Sequence, residues 1–431
     1  MGGVYVHIPF CVRKCAYCDF VSYPAPDIES VAPAYLGAVL GELRLRQDEL
    51  RRVAPIETVY IGGGTPTCVP PRLLGGFIEE LLQAIRAAGT AADTIGPAND
   101  IEVTVEANPG TVDRAGLAAL RAAGANRLSL GFQSLADKEL VALGRIHSAQ
   151  DCLCAYGDAR AAGFSNISVD LILGTPGQTR ASLNSTVDAV IDLQPEHVSA
   201  YCLSLEPGTP LADAARAGAV SVPDDDDAAD LYDLFAAGMA AAGYARYEIS
   251  NFARTGFESR HNMGYWRNGE YMGLGAAAHS HVRVRSAPAQ ASLDFATSAP
   301  ASRGGIRSWN TPLITEYIDA VSRGDLPVAG REMRTAHEEA RDALMVGLRM
   351  SVGVDLGVLS EEYGVDLTGE YAERFRRLAL RGLVEIVDSG PDRGPGSASH
   401  PRSVPASYLG PRIRLAPGAF LLANRVFIEC V

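Results

Sequence analysis

Positive charge is scarce in this chain: 38 Lys and Arg stand against 51 Asp and Glu across 431 residues, a net charge of -13. A general binder of nucleic acid or of anionic membranes needs clustered cations for the phosphates, so no nucleic-acid partner is expected, although a local basic pocket fits within that balance. Cysteine is scarce too, with eight in the chain, three of them crowded into one loop. That usage excludes a disulfide scaffold and suits metal ligation in a reducing compartment. Long apolar runs are missing: no eighteen consecutive residues are apolar and free of charge, so no integral membrane segment is expected. Met1-Gly-Gly passes straight into a β-rich run with no stretch for a leader, and the expected location is cytoplasmic.

What is present is ordinary globular composition, 47% hydrophobic and 21% charged, in a length that suits one large domain and one small one. From Val4 to about Leu205, short β-rich runs alternate with longer helical ones, which argues for βα units around a parallel sheet. Strands are expected at Val4–Ile8, Thr58–Ile61, Ile101–Glu106, Arg127–Leu130, Ser168–Leu173 and Val198–Leu203. The expected fold class is α/β, a partial (β/α)6 TIM-like barrel over residues 1–235. A connecting region over 236–310 and a mainly helical small domain over 311–431 follow. Residues 285–305 read as an exposed insertion, and a Gly/Pro/Ser-rich loop should reach about Ser407.

In such a fold the ligand site gathers at the carboxyl ends of the strands. The first strand leads into Cys11, Cys15 and Cys18, a C-x3-C-x2-C spacing. Three thiolates on one loop can take three irons of a 4Fe-4S cluster and leave the fourth iron open. The competing reading is a set of buried thiols or a zinc site, with His7 the only near candidate for a fourth ligand. The second strand ends in Gly62-Gly-Gly-Thr-Pro66, a turn expected to offer backbone N–H groups to an anion. Glu106, Gln133, Arg145 and Asp170 recur at or near strand ends, where a carboxylate suits ribose hydroxyls and Arg or Gln suits a carboxylate or a purine edge.

Further along stands His261-Asn-Met-Gly-Tyr-Trp266. An imidazole is a normal axial ligand of heme iron, and Tyr265 and Trp266 could cover a porphyrin face; the plainer alternative is a structural aromatic cluster. His279 and His281 read as turn residues or, less simply, as ligands. Cys68, Cys152, Cys154, Cys202 and Cys430 read as packing residues.

His-Ile-Pro-Phe-Cys with C-x3-C-x2-C, the Gly-Gly-Gly-Thr-Pro turn and Asp170-Leu-Ile-Leu-Gly174 resemble the radical S-adenosyl-L-methionine (radical SAM) proteins. More narrowly, they resemble the oxygen-independent coproporphyrinogen III oxidase family over nearly the whole chain. That family has two branches, decarboxylating oxidases and HemW-type heme chaperones. The oxidases carry a further Cys two residues beyond the third cluster ligand and an extension ahead of the cluster strand. This chain has Phe20 there and three residues before Val4, which points to the chaperone branch. The resemblance implies a 4Fe-4S cluster on Cys11, Cys15 and Cys18, with SAM chelating the open iron. By the same token Tyr5, Tyr17, Gly63, Gly64, Thr65, Glu106, Gln133, Arg145 and Asp170 match SAM-contacting positions. His261, Tyr265 and Trp266 match a heme-binding motif, and the partners implied are heme and a heme-acceptor protein. No catalytic residue is assigned, because the cluster and SAM could be regulatory or structural. The rival is an enzyme that cleaves SAM to a radical and decarboxylates coproporphyrinogen III.

Overall fold

Alternation along the strands decides which side chains face helices and which face the barrel lumen. In Gly2–Ile8 (β1), Val4, Val6 and Ile8 belong to the main hydrophobic core, while Tyr5 and His7 point to the other face. The pattern repeats in Ile56–Gly63 (β2), Glu102–Ala107 (β3), Arg127–Gln133 (β4), Ile167–Leu173 (β5) and His197–Cys202 (β6). Val59, Ile61, Val103, Val105, Leu128, Leu130, Val169 and Val198 pack into the core against the helices. Thr58, Tyr60, Thr104, Glu106, Arg127, Ser129, Ser168, Asp170, His197 and Ser199 alternate with them, so the lumen is polar and rich in hydroxyl groups.

The computed structural model describes residues 2–53, 55–88, 101–284, 304–387 and 410–430. Strands β1 to β6 pair in parallel and in sequence order. The expected insertion at 285–305 lies almost wholly outside the described residues, and the expected loop to Ser407 lies outside them. Four of the helices begin at side-chain caps: Asp113, Ser148, Thr179 and Asp224 each accept a backbone N–H of the first turn, a contribution of about 1 kcal/mol apiece.

A seventh parallel strand was not anticipated. Glu270–Leu274 (β7) pairs with the free edge of β1, and His279–Arg283 (β8), Gly305–Asn310 (β9) and Val328–Arg334 (β10) extend the sheet antiparallel from it. The chain returns to an edge that the sequence pattern gave no means of locating. On the other edge, the short strand Asn251–Ala253 covers β6.

The carboxy-terminal part has its own core, built from Leu344, Leu356, Tyr371, Phe375, Val384, Ile413 and Val426 among others. It combines helices Ala336–Gly347, Leu356–Tyr363 and Leu367–Leu380 with a three-stranded sheet. A buried polar clasp joins it to the large sheet: Glu339 Oε2 meets His281 Nε2 at 2.9 Å and accepts from Asn268 Nδ2 at 2.9 Å. Among the described residues no helix is long and apolar enough to cross a membrane.

Candidate functional site

The cysteine loop leaves the carboxyl end of β1 and is pinned where it returns. Phe10–Cys11 pairs with Tyr23–Pro24, Tyr23 N donates to Pro9 O at 2.7 Å, and Ala25 N donates to Cys11 O at 3.1 Å. His7 holds the same return, with Nε2 2.8 Å from Val21 O and Nδ1 2.9 Å from the Tyr5 hydroxyl. Both its nitrogens are committed, so His7 anchors the loop and is not a free ligand. Cys11 is buried, Cys15 and Cys18 are half-buried, and all three are free thiols lining one cavity of about 400 Å3.

Burial pushes the Cys11 and Cys18 thiols up, while Arg145 Nη1 stands 3.4 Å from Cys15 Sγ. Bound iron would replace those thiol protons. Among the described residues no three His, Cys, Asp or Glu side chains gather as ligands of a single ion do. Three thiols on one loop, with both His7 nitrogens committed elsewhere, are a donor set that fits a cluster in which each sulfur takes a different iron.

Glycine in the Gly62-Gly-Gly-Thr-Pro66 turn answers to space. Gly63 has φ +115°, and a Cβ there would stand 2.6 Å from the His7 ring; at Gly64 it would stand 2.5 Å from Phe10 O and 3.1 Å from Cys11 Sγ. The turn lies flat against the cysteine loop, a fit only glycine allows. The expected free amides are not found. Gly63 N donates to Glu106 Oε2 at 3.1 Å, Gly64 N to Ile8 O at 2.9 Å and Thr65 N to Phe10 O at 2.7 Å. The turn buttresses the loop, and its donors are spent inside the protein.

Across the cavity, Glu106 also accepts from the Tyr60 hydroxyl at 2.7 Å. Burial raises its pKa to about 7, opposed by the Tyr60 hydrogen bond and assisted by the charge of Asp170. Asp170 is held by the hydroxyls of Ser129 at 2.6 Å and Ser168 at 2.9 Å. Gln133 sits at a register shift in β4 with φ +68°, a strained conformation for a residue with a side chain; such strain clusters at functional sites. Arg145 donates to Gly131 O at 2.8 Å and to Asn108 Oδ1, and its Nε is buried without a partner.

Cys11, Cys15, Cys18, Tyr17, Gly63, Gly64, Thr65, Glu106, Gln133, Arg145 and Asp170 thus line one cavity, and Arg13 and Lys14 at its rim supply local positive charge. Tyr5 stands apart from that lining, bonded to His7 with its ring 6.3 Å from that of Tyr60. Tyr60, Asn108 and Tyr201 line the cavity and were missed. The period-2 alternation could have found Tyr60, which shares the lumen face with Thr58. Cys68 and Cys202, read as packing residues, line the cavity as well.

His261 lies at the opposite mouth. Helix Arg260–Trp266 is capped by Ser259, and Glu102 Oε2 and Oε1 accept from Arg260 N and His261 N, each at 3.1 Å. The imidazole is buried against the amino-terminal ends of β1 and β2, its Nδ1 2.8 Å from Thr58 Oγ1 and its Nε2 2.9 Å from the Tyr265 hydroxyl. Burial, with the charge of Arg127, lowers its pKa to about 3. Both nitrogens are occupied, so in this conformation His261 offers iron no lone pair. Trp266 does not join it: the guanidinium of Arg349 lies 4.3 Å from its ring, and its indole Nε1 is buried without a partner. His281 serves the clasp to Glu339, and His279 stacks on Trp309 at 5.9 Å.

A family model described as the radical SAM superfamily matches residues 5–190. The "Heme chaperone HemW" of Bacillus subtilis (strain 168) is 33% identical over 396 residues, 90% of this chain and 94% of that protein. Its namesake from Mycobacterium tuberculosis (strain CDC 1551 / Oshkosh) is 39% identical over 360 residues, 83% of this chain and 84% of that one. The structure of the Escherichia coli coproporphyrinogen III oxidase HemN superposes with a TM-score of 0.74 over 100% of this chain and 89% of its own, at 20% identity, a likeness of fold.

Proposed function

This chain belongs to the HemW family of the radical SAM superfamily, and we propose on that premise that it is a cytoplasmic heme chaperone that binds heme and passes it to an acceptor protein. One observation carries the reading: near full-length likeness to proteins named heme chaperones coincides with a thiol-lined, carboxylate-bearing cavity at the carboxyl ends of the strands.

Cys11, Cys15 and Cys18 hold a 4Fe-4S cluster, and SAM fills the cavity beside it. When bound, that pair would supply one-electron chemistry; here its role is regulatory or structural rather than catalytic. Glu106 and Asp170 take ribose hydroxyls, Arg145 takes a carboxylate, Gln133 a purine edge, and Tyr17, Gly63, Gly64 and Thr65 wall the site. Heme is cargo. Its iron is taken by His261 once the helix has opened and the bond to Tyr265 is broken, with Tyr265 and Trp266 beside it.

Phe20 weighs against the oxidase alternative. It is 65% exposed and lines the cavity where the oxidases carry their further Cys. The test is anaerobic reconstitution of the cluster followed by hemin titration and by SAM with coproporphyrinogen III under strong reduction. Stoichiometric hemin binding, lost in His261→Ala, is expected without protoporphyrinogen; product at catalytic turnover overturns the chaperone reading.

A further inference from the structure

We infer that His261 also buttresses the cofactor cavity from the opposite mouth of the barrel through Tyr60, so that what His261 holds and what Glu106 holds are linked. The inference rests on the reading of the cavity as a SAM site.

Two chains of contacts cross the polar lumen and end on the same helix. In the first, the His261 ring stacks on Tyr60 at 5.1 Å with 25° between the planes. The Tyr60 hydroxyl then donates to Glu106 Oε1 at 2.7 Å, and Glu106 Oε2 accepts from Gly63 N at 3.1 Å. Tyr60 therefore orients a cavity carboxylate, and His261 orients Tyr60. In the second, Ser168 Oγ donates to Asp170 Oδ1 at 2.9 Å and meets His197 Nδ1 at 2.8 Å. His197 Nε2 meets the Tyr247 hydroxyl at 2.9 Å, and that oxygen accepts from Ser259 N at 3.3 Å.

The second chain has a consistent direction. The Ser168 proton goes to Asp170, so His197 Nδ1–H must donate to Ser168; Nε2 then accepts from Tyr247, which accepts from Ser259. Ser259 is the cap of the helix that carries His261. Glu106 and Asp170, two of the carboxylates that line the cavity, are thus oriented by residues that end on helix Arg260–Trp266 or its cap. Chains of buried hydrogen bonds act as units, because a group that loses its partner is left unsatisfied where no solvent replaces it.

The sign of the linkage follows. Any ligand that draws the His261 imidazole away from Thr58 and Tyr265 also takes it off Tyr60. The Tyr60 hydroxyl then drifts from Glu106, and the cavity loses the carboxylate orientation that a ribose needs. Capture at the amino-terminal mouth weakens SAM, and by reciprocity SAM holds that mouth shut.

The test measures the dissociation constant of SAM by equilibrium dialysis on full-length protein with reconstituted cluster. His261→Ala is expected to weaken SAM by on the order of tenfold, the loss of one buried hydrogen bond to a carboxylate. His261→Phe keeps an aromatic face against Tyr60 and is expected to bring SAM back to within about threefold of wild type, a margin below a 1 kcal/mol change, while leaving hemin unbound. Tyr60→Phe is expected to weaken SAM as much as His261→Ala, and the double variant no further than either, since the two act in series.

Unchanged SAM affinity in His261→Ala, with circular dichroism and iron content at wild-type level, overturns the inference. So do additive effects in the double variant, or a His261→Phe protein as weak as His261→Ala. Failure of the wild type to bind SAM sinks the cofactor reading and this inference together. Failure to bind hemin while SAM affinity still answers to His261→Ala sinks the heme reading alone and supports this one.

Discussion

At the carboxyl-terminal mouth of the barrel the strands run out into a glycine turn, a loop of free thiols and an open cavity; at the amino-terminal mouth the same strands are stoppered by a seven-residue helix whose histidine has no free nitrogen. Both mouths draw on one polar lumen. They differ in whether a connection leaves room beside the lumen groups or fills it. The open mouth can take a ligand as it stands, whereas the closed mouth must first break hydrogen bonds.

The largest expected effect separates the mouths outright. Cys11→Ala, Cys15→Ala and Cys18→Ala should each abolish the iron content and visible absorbance of anaerobically reconstituted protein, with Cys154→Ala, on an exposed helix position, as the unaffected control. A full 4Fe-4S signal in any of the three would place the cluster elsewhere. Next comes the stopper. His261→Ala removes a buried ring and its two hydrogen bonds, and should lower stability in urea by on the order of 4 kcal/mol. A midpoint equal to wild type would show that the helix does not seal the barrel.

The two mouths should also answer to pH with opposite signs. Between the ordinary value of 4.5 and about 7, folded Glu106 keeps a proton that the unfolded chain has released. Its burial therefore costs stability increasingly as pH rises through that window, up to roughly 3 kcal/mol above it. Glu106→Gln should be the more stable protein at pH 8 and equal to wild type at pH 4, while binding SAM less well. His261 works the other way. Between its ordinary 6.5 and about 3 the unfolded chain takes up a proton that the folded imidazole refuses, so stability falls as pH falls. Urea midpoints of His261→Ala against wild type should converge as pH drops from 7 to 5; parallel curves would mean the ring is not held neutral. The smallest effect is expected at the open rim, where Phe20→Ser should change stability by no more than about 0.5 kcal/mol.

Much of this was legible in the chain. The β-rich run Val4–Ile8 announced the first strand, and the C-x3-C-x2-C spacing announced a loop whose three thiols line one cavity. The position of Glu106 beside the carboxyl end of β3 followed from strand order and the rule that sites gather there, whereas Asp170, expected near a strand end, stands in the middle of β5. The misses share a cause. Nothing local indicates that β7 returns to the free edge of β1, that the Gly63, Gly64 and Thr65 amides are used up on Glu106, Ile8 and Phe10, or that Trp266 turns away from His261 to Arg349. Each is a contact between residues far apart in the chain.

By itself the sequence determined the elements, their order and the identity of the thiol and carboxylate groups, because periodicity and spacing are properties of neighbouring residues. Tertiary structure decided which groups meet across the lumen. A period of two tells which side chains share a face, but not that the Tyr60 ring lies between His261 and Glu106. That placement depends on how closely six strands pack around a lumen and on a helix that the chain delivers some two hundred residues later.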